Sequence, residues 1–187
     1  QSKKSPAEVA FFFSHIFKLD KEILMKVLLL PVENGFPCFF RFFLDFHEQI
    51  LAKLCENNFT KEEKSKLFEH QSDNGENLMH FVAKEIEIGK LEEIFEVIKN
   101  NLGQPKLKSL MLSKNNLGWN FLHTFLMQNV NLNKDICEFL LNFSEDNLSV
   151  EEIESILTSH DVNGNSMIFS VIFTNNSEIF KTIFAFC

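Results

Sequence analysis

The sequence is short of the residues that hold small secreted domains and metal-bound domains together. Its 187 residues include only 4 cysteines, and none of them form a closely spaced pair. A chain of this length that is 45% hydrophobic can build a core without disulfide bonds. We therefore expect reduced, mostly buried thiols in a cytoplasmic protein, with no metal site and no cofactor. The four are Cys38, Cys55, Cys137 and Cys187.

Long apolar runs and an excess of positive charge are also missing. The densest apolar stretch, residues 36–46, is interrupted by Arg41 and Asp45, and no segment reaches the roughly 18 apolar residues of a membrane span. The net charge of −8 disfavours nucleic acids and anionic membrane surfaces as partners, because both bind lysine and arginine. Because the chain begins at Gln1 and not at Met, we expect it to be a piece of a longer protein.

Glycine is scarce as well, yet four of the 6 glycines occupy the same position in a repeated sequence motif. The fourth residue after each of these glycines is apolar, and the fifth is Phe40, His80, His123 or Phe169. The glycines are spaced by 40, 43 and 46 residues, which predicts a repeat protein. They are Gly35, Gly75, Gly118 and Gly164.

The residues around each glycine follow a helical pattern. Apolar side chains recur at intervals of three and four residues, without the alternation that is typical of strands. Apolar pairs seven and eight residues before each glycine predict a connector helix. Each unit then continues with a turn, a first helix, a loop and a second helix. Capping boxes at Thr60–Glu63 and Ser149–Glu152 mark two of the connectors. We predict an all-α chain whose residues 1–31 form N-terminal helices, either a cap or the remnant of a preceding repeat.

The four units, which begin near residues 32, 72, 115 and 161, resemble ankyrin repeats. The family pattern is Asp-x-x-Gly-x-Thr-Pro-Leu-His-x-Ala, and the resemblance covers residues 32–187. It implies an ankyrin-like helical solenoid of about four repeats with extra connector helices. The Thr-Pro pair is replaced in every unit, and the spacing exceeds the roughly 33 residues of ankyrin repeats and approaches HEAT periods. The matching residues are Gly75, Met79, His80 and Ala83; Gly118, Leu122 and His123; and Asp161, Asn163 and Gly164.

The sequence contains no catalytic constellation and no phosphate-binding loop, so we predict that the protein is not an enzyme. His80 and His123 are interpreted as structural repeat residues, because the resemblance implies a hydrogen bond from this position to the neighbouring helices. Cys137 is interpreted as buried filler in a helix. The remaining histidines lack a partner at ligand spacing and are expected at the surface or at helix ends; they are His15, His47, His70 and His160.

The residue that directly follows each repeat glycine is our candidate for partner binding. Ankyrin-like folds leave this position at the rim of the concave face, and the resemblance implies a protein ligand there. One of these residues, Trp119, is the only tryptophan, a residue type enriched at binding hot spots, although plain packing is an alternative role. The predicted partner-binding strip is Phe36, Glu76, Trp119 and Asn165.

The predicted function is that of a non-catalytic module that binds a protein partner through its concave face. One alternative is a targeting or scaffold arm of a larger enzyme or effector protein of an intracellular bacterium, which would act in the host cytosol. The other is a HEAT-like scaffold that lacks turns at the four glycines. Both ends of the chain, residues 9–17 and 183–187, are apolar. They leave open either a longer repeat array or self-association with a second copy.

Overall fold

The structure, a computed structural model, describes residues 11, 14–32, 35–85, 88–128, 132–173 and 176–186. These residues include eleven α-helices and one 3-10 helix, Ile88–Lys90, and no strand occurs among them, so the predicted all-α class is confirmed for the part described. The α-helices are α1 Lys21–Leu28, α2 Cys38–Glu56, α3 Lys61–Glu69, α4 Leu78–Glu85, α5 Leu91–Leu102, α6 Gln104–Leu112, α7 Phe121–Gln128, α8 Lys134–Asn147, α9 Val150–Thr158, α10 Met167–Phe173 and α11 Ser177–Phe186.

Short polar side chains fix where the connector helices begin. The Asp20 carboxylate accepts hydrogen bonds from the first free backbone N–H groups of α1. At α3, Thr60 and Glu63 bond reciprocally, with the Thr60 N–H donating to the Glu63 carboxylate at 2.7 Å. Ser149 and Glu152 form the same arrangement at α9. Both capping boxes are therefore confirmed, and they are purely local features of the sequence.

The helices alternate in role along the chain. A connector helix (α1, α3, α6 or α9) precedes each repeat glycine, and a pair of helices follows it. The pair is α4 and α5 in the second unit, α7 and α8 in the third, and α10 and α11 in the fourth. In the first unit the pair is one helix, α2, whose backbone leaves helical geometry at Phe46 (φ −145°, ψ 38°). The turn-proximal helices are neighbours in chain order, because α4 packs on α7 and α7 packs on α10.

One hydrophobic core extends along the whole stack of helices, from Ile16 to Ile183. The sequence has 23 phenylalanines and no tyrosine, and buried phenyl rings need no hydrogen-bond partner. Phe68 of α3 meets the rings of Phe39 and Phe43 edge-on at centroid distances of 5.2 and 5.1 Å. Phe95 of α5 meets Phe143 of α8 at 4.8 Å in the same geometry. Aromatic contacts thus join one unit to the next.

None of the helices in the described ranges combines the length and the apolarity that a membrane crossing requires. The N-terminal segment that was expected to form a helix falls mostly outside the described residues. Within it, Ile16 is buried and contributes to the core.

Candidate interaction surface at the stacked turns

The four repeat glycines all lie in turns closed by the same pair of backbone hydrogen bonds. In each turn the N–H of the residue three before the glycine donates to the carbonyl of the residue after it, at 2.7–2.9 Å. The glycine N–H donates back to the carbonyl of that first residue. Each glycine has a φ between 72° and 82°, a region that L-residues with a side chain rarely adopt. These turns span residues 32–36, 72–76, 115–119 and 161–165.

A polar side chain at the first position of the last three turns holds the turn from inside. The Asn115 Oδ1 atom accepts from the backbone N–H groups of Leu117 and Trp119 at 2.9 and 3.0 Å. Ser72 and Asp161 make the equivalent pairs of bonds. The bonds from the Asn165 and Asn163 backbones, together with the nearby Trp119 side chain, lower the pKa of Asp161 to about 2. The first turn has Val32 at this position, whose side chain cannot accept a hydrogen bond.

Successive turns are joined to each other by backbone atoms. The Asn116 N–H donates to the Asn74 carbonyl at 2.9 Å, and the Val162 N–H donates to the Leu117 carbonyl at 2.9 Å. These two bonds connect the second turn to the third and the third to the fourth in the same register. The turns lie so close that a Cβ atom built on Gly118 would be 3.1 Å from the His160 carbonyl oxygen.

Two buried asparagines tie the first helix of one unit to the connector of the next. Asn77 and Asn120 stand two residues after their glycines and are almost fully buried. The Asn77 Oδ1 atom accepts from the Met79 N–H at 2.9 Å, and its Nδ2 group donates to the Leu110 carbonyl at 3.0 Å. Asn120 accepts from the His123 N–H and donates to the ends of α9 in the same way. Both asparagines stand where the ankyrin pattern has the threonine of its Thr-Pro pair.

A signal for this bridge was present in the aligned sequence. The second acceptor of Asn77 is the Ser113 hydroxyl, and that of Asn120 is the Ser159 hydroxyl. Both serines stand five residues before the next repeat glycine. An asparagine two residues after one glycine and a serine five residues before the next therefore form a paired signature that occurs twice.

The two repeat histidines have different surroundings, although both are fully buried. The Nε2 atom of His80 lies 2.9 Å from the Trp119 carbonyl, so His80 bridges to the next turn, whereas the resemblance implied a hydrogen bond to neighbouring helices. A neutral imidazole suits this contact, because burial lowers the pKa of His80. Neither ring nitrogen of His123 makes a hydrogen bond of normal geometry within the described residues, although the nearby Ser159 backbone counteracts part of the lowering of its pKa. Burial, and then the charge of Lys114, lower the pKa of His123 to about 4.

The structure divides the predicted partner-binding strip into buried and accessible halves. Phe36 and Glu76 are each 3% exposed, so they lie inside the protein and not at an open rim. Trp119 and Asn165 are half-buried. Direct contact with a partner is therefore open to the last two residues only, and their binding role stays a prediction.

Glu76 is buried because its charge is compensated locally. Its Oε1 atom pairs with Lys84 Nζ at 2.6 Å and accepts a longer bond, 3.4 Å, from the Asn115 side chain of the next turn. The Lys84 ammonium group also lies 5.2 Å from the centre of the Phe36 ring. Glu76 thus joins neighbouring units, while its Oε2 atom is buried without a hydrogen bond from any described residue.

The tips of the turns carry two exposed aliphatic side chains that are not among the residues predicted to bind a partner. Leu117 is 46% exposed and Val162 is 64% exposed, and the backbone hydrogen bond between them places them on adjacent turns. Exposed polar residues surround them, namely Asp73, Asn74, Asn116 and Asn163. With Trp119 nearby, these residues form a mixed apolar and amide surface, which we name the tip surface.

His47 was expected at the surface or at a helix end, and it lies directly after the break in α2 at Phe46. His47 is 8% exposed, and its Nε2 atom lies 2.9 Å from the Glu93 carboxylate on α5. The two residues are 46 positions apart, so no local spacing could reveal the pair. With Glu48 they form a group whose ligand atoms lie within 4.8 Å of one another and could hold a metal ion. His15 and His160 are exposed, as expected, and His70 is half-buried.

The described cysteines are free thiols. Cys38 and Cys137 are buried, and burial raises the pKa of Cys38 to about 11 and that of Cys137 to about 12. Thiols with these pKa values stay protonated near neutral pH and are poor nucleophiles. Cys55 differs from the expected pattern because it is exposed, and Cys187 lies outside the described residues.

No model of a known protein family matches this chain. No curated protein matches it significantly either.

Proposed function

We propose that this chain is a non-catalytic module of ankyrin-like repeats that binds a protein partner through the tip surface and the adjoining Trp119. The observation that carries the proposal is the exposure of Leu117 and Val162 side by side at the tips of two stacked turns. Tight turns usually present polar residues and glycine, so two exposed aliphatic side chains there call for a contact that covers them.

The composition of the tip surface suits a protein ligand. Protein interfaces combine an apolar centre with a polar rim that supplies hydrogen bonds. Leu117 and Val162 would form the centre, and the exposed amides of Asn74, Asn116 and Asn163 would form the rim. Trp119 lies at the base of this surface and offers a large, partly exposed ring of the kind that dominates binding energy.

The ankyrin-like architecture is favoured over a HEAT-like scaffold by the turns themselves. A HEAT-like scaffold would lack turns at the four glycines, whereas all four glycines lie in turns with the same hydrogen bonds. The turn-to-turn hydrogen bonds and the neighbouring first helices are typical of repeats that stack in chain order. The concave face that the resemblance implies would adjoin these turns.

A capture experiment tests the binding surface. The immobilised chain is incubated with a eukaryotic cell extract, and the retained proteins are identified by mass spectrometry. The double variant Leu117→Ser and Val162→Ser should lose a protein that the wild type retains, because it removes the apolar centre but leaves the turn backbone in place. The matched control is Val150→Ser, which changes an aliphatic residue that is 69% exposed on a different element, α9.

Two results would contradict the proposal. One is a retained set of proteins that is the same for the wild type and the double variant. The other is equal loss of the captured protein with Val150→Ser, which would indicate non-specific apolar adhesion. Circular dichroism spectra of all three proteins establish that each variant keeps its helical content.

A further inference from the structure

The outer side of the fourth unit carries a second apolar surface, distinct from the tip surface. It is formed by α10 and α11, and we name it the end face. Ile172 is 57% exposed and Phe184 is 56% exposed. Phe169 and Phe180 are 44% and 36% exposed, and the rings of Phe180 and Phe184 lie 4.5 Å apart. Four large apolar side chains on one side of a helix pair exceed the scattered exposure that is normal for a protein surface.

The turn-proximal helix of the third unit shows what covers these positions inside the array. Five and eight residues after Gly118 stand His123 and Leu126, and both are buried. The residues at the same distances from Gly164 are Phe169 and Ile172. The helix α10 packs directly on α7, and Leu126 lines a small cavity together with Met167 of α10. The fourth unit therefore repeats a surface that elsewhere receives the next unit.

The second helices give the same correspondence. Ile136 of α8 and Ile179 of α11 are both fully buried and mark the same position in their units. In that alignment Phe180 corresponds to Cys137, and Phe184 corresponds to Leu141. Cys137 and Leu141 are each 3% exposed, because α11 packs on α8. The contact between these units is close, with a cavity of only about 10 Å³ beside Cys137 and Ile183.

In the part of the chain that the structure describes, the last turn, residues 161–165, lacks the contacts that the two preceding turns make with the turn that follows each of them. A Cβ atom built on Gly118 would meet the following turn, whereas one built on Gly164 has no atom within 4 Å. The Asn74 and Leu117 carbonyls accept hydrogen bonds from the following turn. The equivalent carbonyl in the last turn belongs to Asn163, and no N–H group of the described residues donates to it.

From these correspondences we propose that the end face binds a partner unit built like the units within this chain: a glycine turn followed by two helices that turn an apolar side towards the end face. The turn of that partner supplies a backbone N–H to the Asn163 carbonyl, and its helices cover Ile172 and Phe184. The partner unit would contact the fourth unit as the fourth unit contacts the third. Its apolar side would carry residues equivalent to the buried residues of the fourth unit, which are Met167, Val171, Ile179 and Ile183. This contact is independent of the tip surface.

A chain extended by one unit tests the proposal. Aligning Ile179 with Ile136 places Cys187 at the position of Ser144, so a second copy of residues 145–187 is appended directly after Cys187. The new glycine then follows Gly164 by 43 residues, which is the spacing between Gly75 and Gly118. In the appended copy, the four end-face residues are replaced by serine so that the extended chain ends in a polar surface.

The extended chain should unfold at a temperature about 5 °C higher than the 187-residue chain, because each stacked neighbour adds an interface. The fluorescence of a dye that binds exposed apolar surface, such as ANS, should fall about twofold, because the end face is covered. Ile172→Asp with Phe184→Asp in the original unit should abolish the rise in unfolding temperature. Val150→Asp in the original unit, an equally exposed apolar position outside the end face, should not.

Two outcomes would overturn the proposal. The extended chain could show the unfolding temperature and dye binding of the 187-residue chain, which would mean that the end face does not accept a unit of this kind. Alternatively, sedimentation could show that the 187-residue chain is a dimer that Ile172→Asp and Phe184→Asp dissociate. The occupant of the end face would then be a second copy. Neither outcome bears on the tip surface, which the capture experiment tests separately.

Discussion

Replacing the glycines one at a time by alanine separates backbone strain from crowding between turns. At Gly164, with a φ of 82° and no atom within 4 Å of a built Cβ, alanine adds only the cost of the left-handed conformation. That cost is about 1–2 kcal/mol. The lower conformational entropy of alanine in the unfolded chain offsets about 0.4–1 kcal/mol of it. We therefore expect Gly164→Ala to reduce the free energy of unfolding by about 1 kcal/mol.

At Gly118 the same strain is joined by a collision with backbone. A Cβ there would lie 3.1 Å from both the Asp161 Cα atom and the His160 carbonyl oxygen, and neither can rotate away. Overpacking of this kind costs about 1–3 kcal/mol, so Gly118→Ala should reduce stability by about 2–4 kcal/mol. Gly75→Ala should fall between the two variants, because its closest contact, 2.7 Å, is with the mobile side chain oxygen of Asn116.

Urea unfolding followed by circular dichroism at 222 nm measures the series, and the slope with denaturant shows whether the unfolded state has changed. Gly89→Ala is the control, because Gly89 is outside the repeated sequence motif, lacks a positive φ and has no atom near a built Cβ. Its free energy of unfolding should be unchanged within about 0.5 kcal/mol. Equal losses for Gly164→Ala and Gly118→Ala would refute the argument that close stacking of the turns adds to the strain.

Three further predictions concern buried polar groups and thiols. Asn77→Ala should reduce the free energy of unfolding by about 2–4 kcal/mol, because it removes a helix cap and leaves buried groups unpaired. The control Asn116→Ala removes one exposed hydrogen bond to the Asp73 carbonyl and should cost less than about 0.5 kcal/mol. Similar losses for the two variants would contradict the bridging role of Asn77. The folded-state pKa of His123, about 4, is below its ordinary value of 6.5, so the unfolded chain binds a proton more readily as the pH falls. The contribution of His123 to the free energy of unfolding should therefore fall by about 2–3 kcal/mol between pH 6.5 and pH 4, and His123→Gln should remove this part of the pH dependence. Cys55 should react with a thiol reagent in the native protein, whereas Cys38 should react only after unfolding; equal native rates would contradict the burial of Cys38.

The sequence predicted those features whose causes lie within a few residues. The turns were predictable because glycine is the residue that adopts a positive φ without strain, and its recurrence every 40–46 residues showed the turns as a set. The capping boxes were predictable because both partners are three residues apart. The all-α class followed from the spacing of apolar residues, which reports the side of a helix that faces the core.

The burial of Glu76 could not be predicted in this way. A carboxylate beside a turn is normally solvated, because burying an unpaired charge is costly. Here Lys84, on the same unit, and Asn115, in the next turn, make burial acceptable. The pairing of His47 with Glu93 has the same character, because it depends on how α2 and α5 pack. The contacts of Glu76 with Asn115 and of His47 with Glu93 depend on how neighbouring units pack, which the order of residues within one unit does not encode.

In the turns, backbone atoms hold the stack together and exposed side chains are available to a partner, and this separation decides how binding experiments should be interpreted. The hydrogen bonds between successive turns use backbone atoms, including those of Leu117 and Val162. Their side chains can therefore change without removing a hydrogen bond that holds the stack together, so loss of binding in these variants reports contact with the partner. Glu76 joins neighbouring units through its side chain, so its substitution should weaken the stack and reduce binding indirectly. Alanine scanning of the original four-residue strip would mix these two effects, and measuring the unfolding free energy of each variant separates them.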